Sequence, residues 1–78
     1  MKFVAEINVM PRPELLDPQG KAVLLGLDQI ENVRIGKHIT LHLEAENETI
    51  AREKVDKACS KLLANLIMES YEYDLKQV

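Results

Sequence analysis

Residues 33–44 read VRIGKHITLHLE. Val33, Ile35, Ile39, Leu41 and Leu43 fall on one side of a two-residue repeat, and Arg34, His38, Thr40, His42 and Glu44 on the other. A helix would bring apolar residues round every three to four positions, so this stretch is extended chain with one dry face and one wet face. A sheet open to water on one side is characteristically antiparallel. Gly36 interrupts the alternation. It marks either a bulge in one long strand or the junction of two shorter ones.

The same period appears at both ends of the chain. Phe3, Ala5, Ile7 and Val9 alternate with Val4, Glu6 and Asn8, and Pro11 and Pro13 end that run. Near the C-terminus Ile67, Tyr71, Tyr73 and Leu75 alternate with Ser70, Glu72 and Asp74. Between the strands the period changes. In LLDPQG, residues 15–20, Asp17 is suited to cap a helix and Pro18 to its first position. Val23, Leu27 and Ile30 then follow at i, i+4 and i+7, which predicts a buried helical face, with Gly26 beside it for close packing on a sheet. A second helix starts at Asn47 or Thr49. Ala51, Val55, Ala58, Cys59 and Leu62 form its apolar stripe, and Asn65 suits a left-handed C-terminal position. The expected fold is α+β: one domain over residues 1–78, a two-layer β-α-β(β)-α-β arrangement with a largely antiparallel sheet and both helices on one face.

Composition narrows the function. A 78-residue chain buries only about 60% of its unfolded surface, so a lone monomer is marginal and partners are expected. Net charge is −3, and acidic and basic residues are interleaved. With no basic run and no aromatic-basic interleaving, nucleic acid is not an expected partner. No apolar run is long enough to span a bilayer. The N-terminus, MKFVAEINVM, reads as a strand rather than a signal peptide. One cysteine permits no internal disulfide, which suits the cytoplasm.

The catalytic inventory is nearly empty. His38 and His42 are four apart, but on a strand their rings stand about 13 Å apart, so one metal cannot take both and no metal site is expected. Cys59 sits in an apolar stripe, where a thiol acts as a small hydrophobe. Tyr71 and Tyr73 suit packing at a core or an interface. No carboxylate pair, phosphate-binding glycine loop or nucleophile constellation is present. Two places remain. With Asp17 as cap, Gly20 falls at the third helical position; there it admits either a tight turn or close packing within the chain, or the close approach of another backbone or an anion. Arg34 and Lys37 flank the break at Gly36, as a solvated bulge or as a contact for an acidic partner surface.

Leu16-Asp17-Pro18-Gln19-Gly20, Val33-Arg34-Ile35-Gly36-Lys37 and Leu62-Leu63-Ala64-Asn65 with Tyr71 and Tyr73, in that order across nearly the whole chain, resemble the PurS small-subunit family of phosphoribosylformylglycinamidine synthase. Arg12-Pro13 fits the basic-then-proline step before the helix. The connection DQIEN, residues 28–32, is shorter than that family's usual one. The resemblance implies a non-catalytic subunit that dimerises or forms a higher homo-oligomer. It would bridge a glutaminase subunit and an ATP-dependent synthetase subunit, so that ammonia from glutamine converts formylglycinamide ribonucleotide to the amidine. It implies no cofactor on this chain, with ATP and Mg on the synthetase. It also implies that Asp17, Gln19 and Gly20 face a partner and that Arg34, Gly36 and Lys37 lie at or near a subunit contact. The competing expectation is a small-molecule-sensing domain with its site at a dimer interface.

Overall fold

The computed structural model describes residues 1–14 and 18–78, and of Pro18 only the backbone. The expected cap at Asp17 lies outside the described residues. Strand β1, Lys2–Pro11, is the centre of a three-stranded sheet; β2, Lys37–Glu44, and β3, Glu69–Gln77, flank it, both antiparallel. The apolar alternation fixes the register. Ile7 faces Ile39 on one side and Tyr73 on the other; Ala5 faces Leu41 and Leu75. A one-residue slip would turn every one of these side chains to water.

The apolar face is covered by α2, Glu48–Ala58. Asn47 is its cap: Oδ1 accepts the Ile50 N–H at 2.9 Å. Val55 and Cys59 join Ala5, Ile7, Val9 and Ala64 in the main core, and Ala51 joins Phe3 and Ala45 in a second cluster. Ala51 and Val55 are the fully buried residues of this helix. Burial pushes the Cys59 thiol pKa up, with Asp56 adding to the shift, so this sulfur is a packing group.

Beyond Ala58 the helix loosens into a π-helical turn, Cys59–Leu63, closed by the Ala64 N–H on the Cys59 carbonyl at 3.0 Å. This corrects the predicted stripe. A five-residue step carries burial from Cys59 to Ala64, so Leu63 packs partly against the core while Leu62 is 86% exposed. Asn65 is not left-handed; among the described residues only Gln29, at φ 60°, has a positive φ. Asn65 instead organises a turn. Its Oδ1 accepts the Ile67 N–H, and its carbonyl accepts those of Met68 and Glu69. Ile67 therefore precedes β3 and is exposed rather than sharing the face of Tyr71 and Tyr73.

Two further expectations change. Residues 33–36 are not strand, so the run at 33–44 gives one strand beginning at Lys37. Helix α1 is short, Pro18–Leu25, and ends in i→i−3 bonds from Gly26 to Val23 and from Leu27 to Leu24. Leu27 and Ile30 thus lie beyond it, and Val23, Leu27 and Ile30 are each at least 43% exposed. Their spacing matched a helical face that the helix is too short to form. Gly26 meets only the Val23 carbonyl, so its close packing on a sheet is also corrected.

Candidate interaction surface

The C-terminal end of β1 holds together three parts of the chain. Arg34 lies just outside β2, where its guanidinium reaches back across the sheet end. Nη2 donates to the carbonyls of Pro11 and Arg12 at 2.9 and 2.8 Å, and Nη1 to that of Pro13 at 3.3 Å. Pro11 ends β1 and Pro13 lies in the turn that follows it, and the planar fork of the guanidinium satisfies the carbonyls of Pro11, Arg12 and Pro13 together. Arg12 carries the chain of bonds onward. Its Nε and Nη2 donate to the Leu66 carbonyl at 3.0 and 2.6 Å, and its N–H to that of Met68 at 2.9 Å.

Charge-assisted bonds of this kind contribute about 1.5–3 kcal/mol each when part-buried. Arg34→Lys keeps the charge but loses the fork, so we expect it to lower unfolding stability by about 2 kcal/mol, read as a lower urea midpoint. An unchanged midpoint would return Arg34 to a purely partner-facing role.

Gly36 lies against β1. A Cβ there would run into the Val9 carbonyl oxygen and the Met10 sulfur, so the missing side chain serves contact within the chain. Lys37 is 53% exposed, with Nζ 4.0 Å from Glu69 Oε2. Gln19 is exposed and Gly20 buried in α1. Asp17 lies outside the described residues. Of the predicted site residues, the structure therefore gathers Arg34, Gly36 and Lys37 at one sheet end.

That end also carries residues that sequence reasoning missed. Leu62, Leu66, Ile67 and Met68 are 86, 40, 84 and 53% exposed. The one available signal was their number: one helix stripe and one strand face cannot bury so many apolar residues within seven positions.

The polar face of the sheet bears a separate network. His38, across from Asn8 in the register, places Nδ1 2.7 Å from Asn8 Oδ1 and Nε2 2.6 Å from Glu6 Oε2; the Thr40 hydroxyl donates to the same Glu6 oxygen at 2.9 Å. The His38 bond first, then the Thr40 bond, hold the Glu6 carboxyl below its usual 4.5. A carboxyl depressed on folding stabilises the fold above its unfolded pKa. That contribution fades as pH falls through the lowered folded value. Glu6→Gln is therefore expected to flatten the loss of stability below about pH 4.5; acid titrations of the two proteins, followed by circular dichroism, measure the difference. Among the described residues no group of three or more His, Cys, Asp or Glu could hold a metal ion, and no helix is long and apolar enough to cross a membrane.

The chain is elongated, with extents of 49 × 24 × 14 Å and a radius of gyration of 15.5 Å. A compact domain of this length would have a radius of about 11–12 Å. This thin slab exposes apolar turns at one end and around α1. The family model described as phosphoribosylformylglycinamidine (FGAM) synthase, PurS, matches residues 4–77.

The chain belongs to the PurS family.

The PurS subunit of Synechocystis is 45% identical, with 94% of this chain and 78% of that protein covered. PurS of Thermotoga maritima is 39% identical, covering 90% of this chain and 92% of the relative. Among solved structures, PurLQS from Thermotoga maritima superposes with a TM-score of 0.84 at 36% identity, covering 97% of this chain and 99% of that one. Thermus thermophilus PurS gives 0.82 at 36% identity, covering 100% and 99%. PurS chains thus share the three-stranded antiparallel frame found here.

Proposed function

We propose that this chain is the small, non-catalytic subunit of phosphoribosylformylglycinamidine synthase. It binds the glutaminase and the ATP-dependent synthetase subunits and keeps them in register, so that ammonia released from glutamine reaches the synthetase before it is lost to water. The amidine is then formed on the synthetase, where ATP and Mg reside. The observation that carries the reading is the end-to-end match to the PurS chain of PurLQS. The thin slab with apolar side chains in solvent is consistent with a subunit that is completed by partners. A buried free thiol at Cys59 suits the cytoplasm.

Reconstitution tests the proposal. The glutaminase and synthetase subunits are mixed with and without this chain, and amidine formation is followed with glutamine or with ammonium salt as nitrogen donor. Omission is expected to abolish the glutamine-dependent rate and to spare the ammonium-dependent one. A glutamine-dependent rate and an assembly that survive omission would end the bridging role.

A further inference from the structure

The fold leaves two apolar segments in water, and both join the sheet at one end. β1 ends at Pro11, and β2 begins at Lys37 beside Val9, so α1 and residues 26–36 connect to the sheet there. The turn at residues 62–68 enters β3 at Glu69, beside Pro11, at the same end. Among the described residues eleven large apolar side chains are exposed. Eight of them fall within Val23–Ile30 and Leu62–Met68, so whatever covers this end covers most of the apolar surface that the fold leaves bare.

The charges of the two segments are opposite. Residues 25–32, LGLDQIEN, carry Asp28 and Glu31 and no basic residue. Residues 60–68, SKLLANLIM, carry Lys61 and no acidic one, and Lys37 lines the same open depression as Lys61 and Leu62. The carboxylate in that depression, Glu69, is shared between Lys37 and the Asn65 N–H. Each segment therefore has an apolar centre and the charges that complement the other.

A two-fold contact need not set like on like: residue i of one copy meets residue j of the other, and j meets i. Because the two segments share one end of the sheet, a single axis beside that end sets each on its opposite number in the second copy. One operation covers both segments of both copies. A different protein would have to supply cations over residues 25–32 and carboxylates over the turn; this chain supplies both itself.

We infer that a second copy of this chain covers this end of the sheet. Leu25, Leu27 and Ile30, with Asp28 and Glu31, lie on Leu62 and Ile67, with Lys37 and Lys61, of the other copy, and the same contact is repeated across the axis. Leu62 and Ile67 are the anchors, because they have the most surface left to bury. The chain makes this contact by itself, apart from the bridging role.

Sedimentation of the full chain with no other subunit present tests this through charge exchange. One variant reverses the acidic segment, Asp28→Lys with Glu31→Lys; the other reverses the turn, Lys37→Gln with Lys61→Glu. Each alone should self-associate about tenfold or more weakly than wild type, because every altered contact occurs twice. Mixed in equal amounts the two variants should regain the wild-type assembly, since each then meets the charges that it lacks. Leu62→Ser should weaken self-association by a similar factor. A wild-type chain that sediments as single copies at micromolar concentration would overturn the inference and leave the bridging role standing. Wild-type association by the two charge variants, or by Leu62→Ser, would also overturn it. So would association lost in each charge variant and not regained on mixing, which would assign these charges to the fold or to another protein.

Discussion

Gly36→Val is expected to cost about 3 kcal/mol or more of unfolding stability, enough to leave much of a marginal small domain unfolded at room temperature. Backbone handedness is not the cause, since Gly36 does not have a positive φ. The cause is proximity. A Cβ at Gly36 would collide with the Met10 sulfur and the Val9 carbonyl oxygen. The thioether can swing aside, because methionine has three rotatable bonds. The carbonyl cannot. Val9 lies in the central strand, paired with Lys37 on one side and Tyr71 on the other, so moving it disturbs both ladders. Gly36→Ala brings the same collision with less bulk and should fall between wild type and Gly36→Val. Urea titrations of the three proteins read the order directly from their midpoints. A wild-type midpoint for Gly36→Ala would mean that β1 and residue 36 do not approach as described, and would free Gly36 for a role at a partner surface.

Gly36 also shows what the sequence could and could not disclose. Its interruption of VRIGKHITLHLE was plain, and so were the three extended stretches, because alternation of apolar and polar residues is a local property; whether residues 33–44 made one strand or two was not, and the structure gives one, Lys37–Glu44. The start of the second helix was legible only down to two candidates, Asn47 and Thr49, and the structure selects Asn47. What lies against Gly36 was not, since the contact joins residues 26 or more positions apart. Arg34 and Lys37 looked alike as cations flanking a break, yet one is absorbed by three carbonyls and the other is half exposed. No local pattern distinguishes them; the arrangement of Pro11, Arg12 and Pro13 does. The stripe through Leu62 failed because helical spacing assumes 3.6 residues per turn. The π-helical turn at Cys59–Leu63 breaks that assumption and exposes the side chain that the spacing would have buried. The stripe at Val23, Leu27 and Ile30 failed because spacing reports which side chains share a face only while the helix continues, and α1 stops at Leu25.

Ile7→Ala should be comparably damaging, by about 3–4 kcal/mol, for a reason that leads back to partners. Ile7 is fully buried at the middle of β1, faced by Ile39 and Tyr73 and grouped with Val55 and Cys59. Much of the surrounding core is alanine: Ala5 and Ala64 in this cluster, Ala45 and Ala51 in the other. Alanines have no side-chain atoms that can move into the space left by a lost isoleucine, so most of the cavity should persist. A core this lean has little stability in reserve. Anything that binds the folded chain but not the unfolded one adds RT ln(1 + [L]/Kd), about 2.7 kcal/mol at a hundredfold excess over Kd. Isolated Ile7→Ala is therefore expected to melt far below wild type and to recover most of the difference when the other subunits of the enzyme are added in excess. Gly36→Val should recover in the same way, because both substitutions act on the fold. If added subunits raise the melting temperature of neither core variant, they do not bind the folded chain, and the bridging role fails.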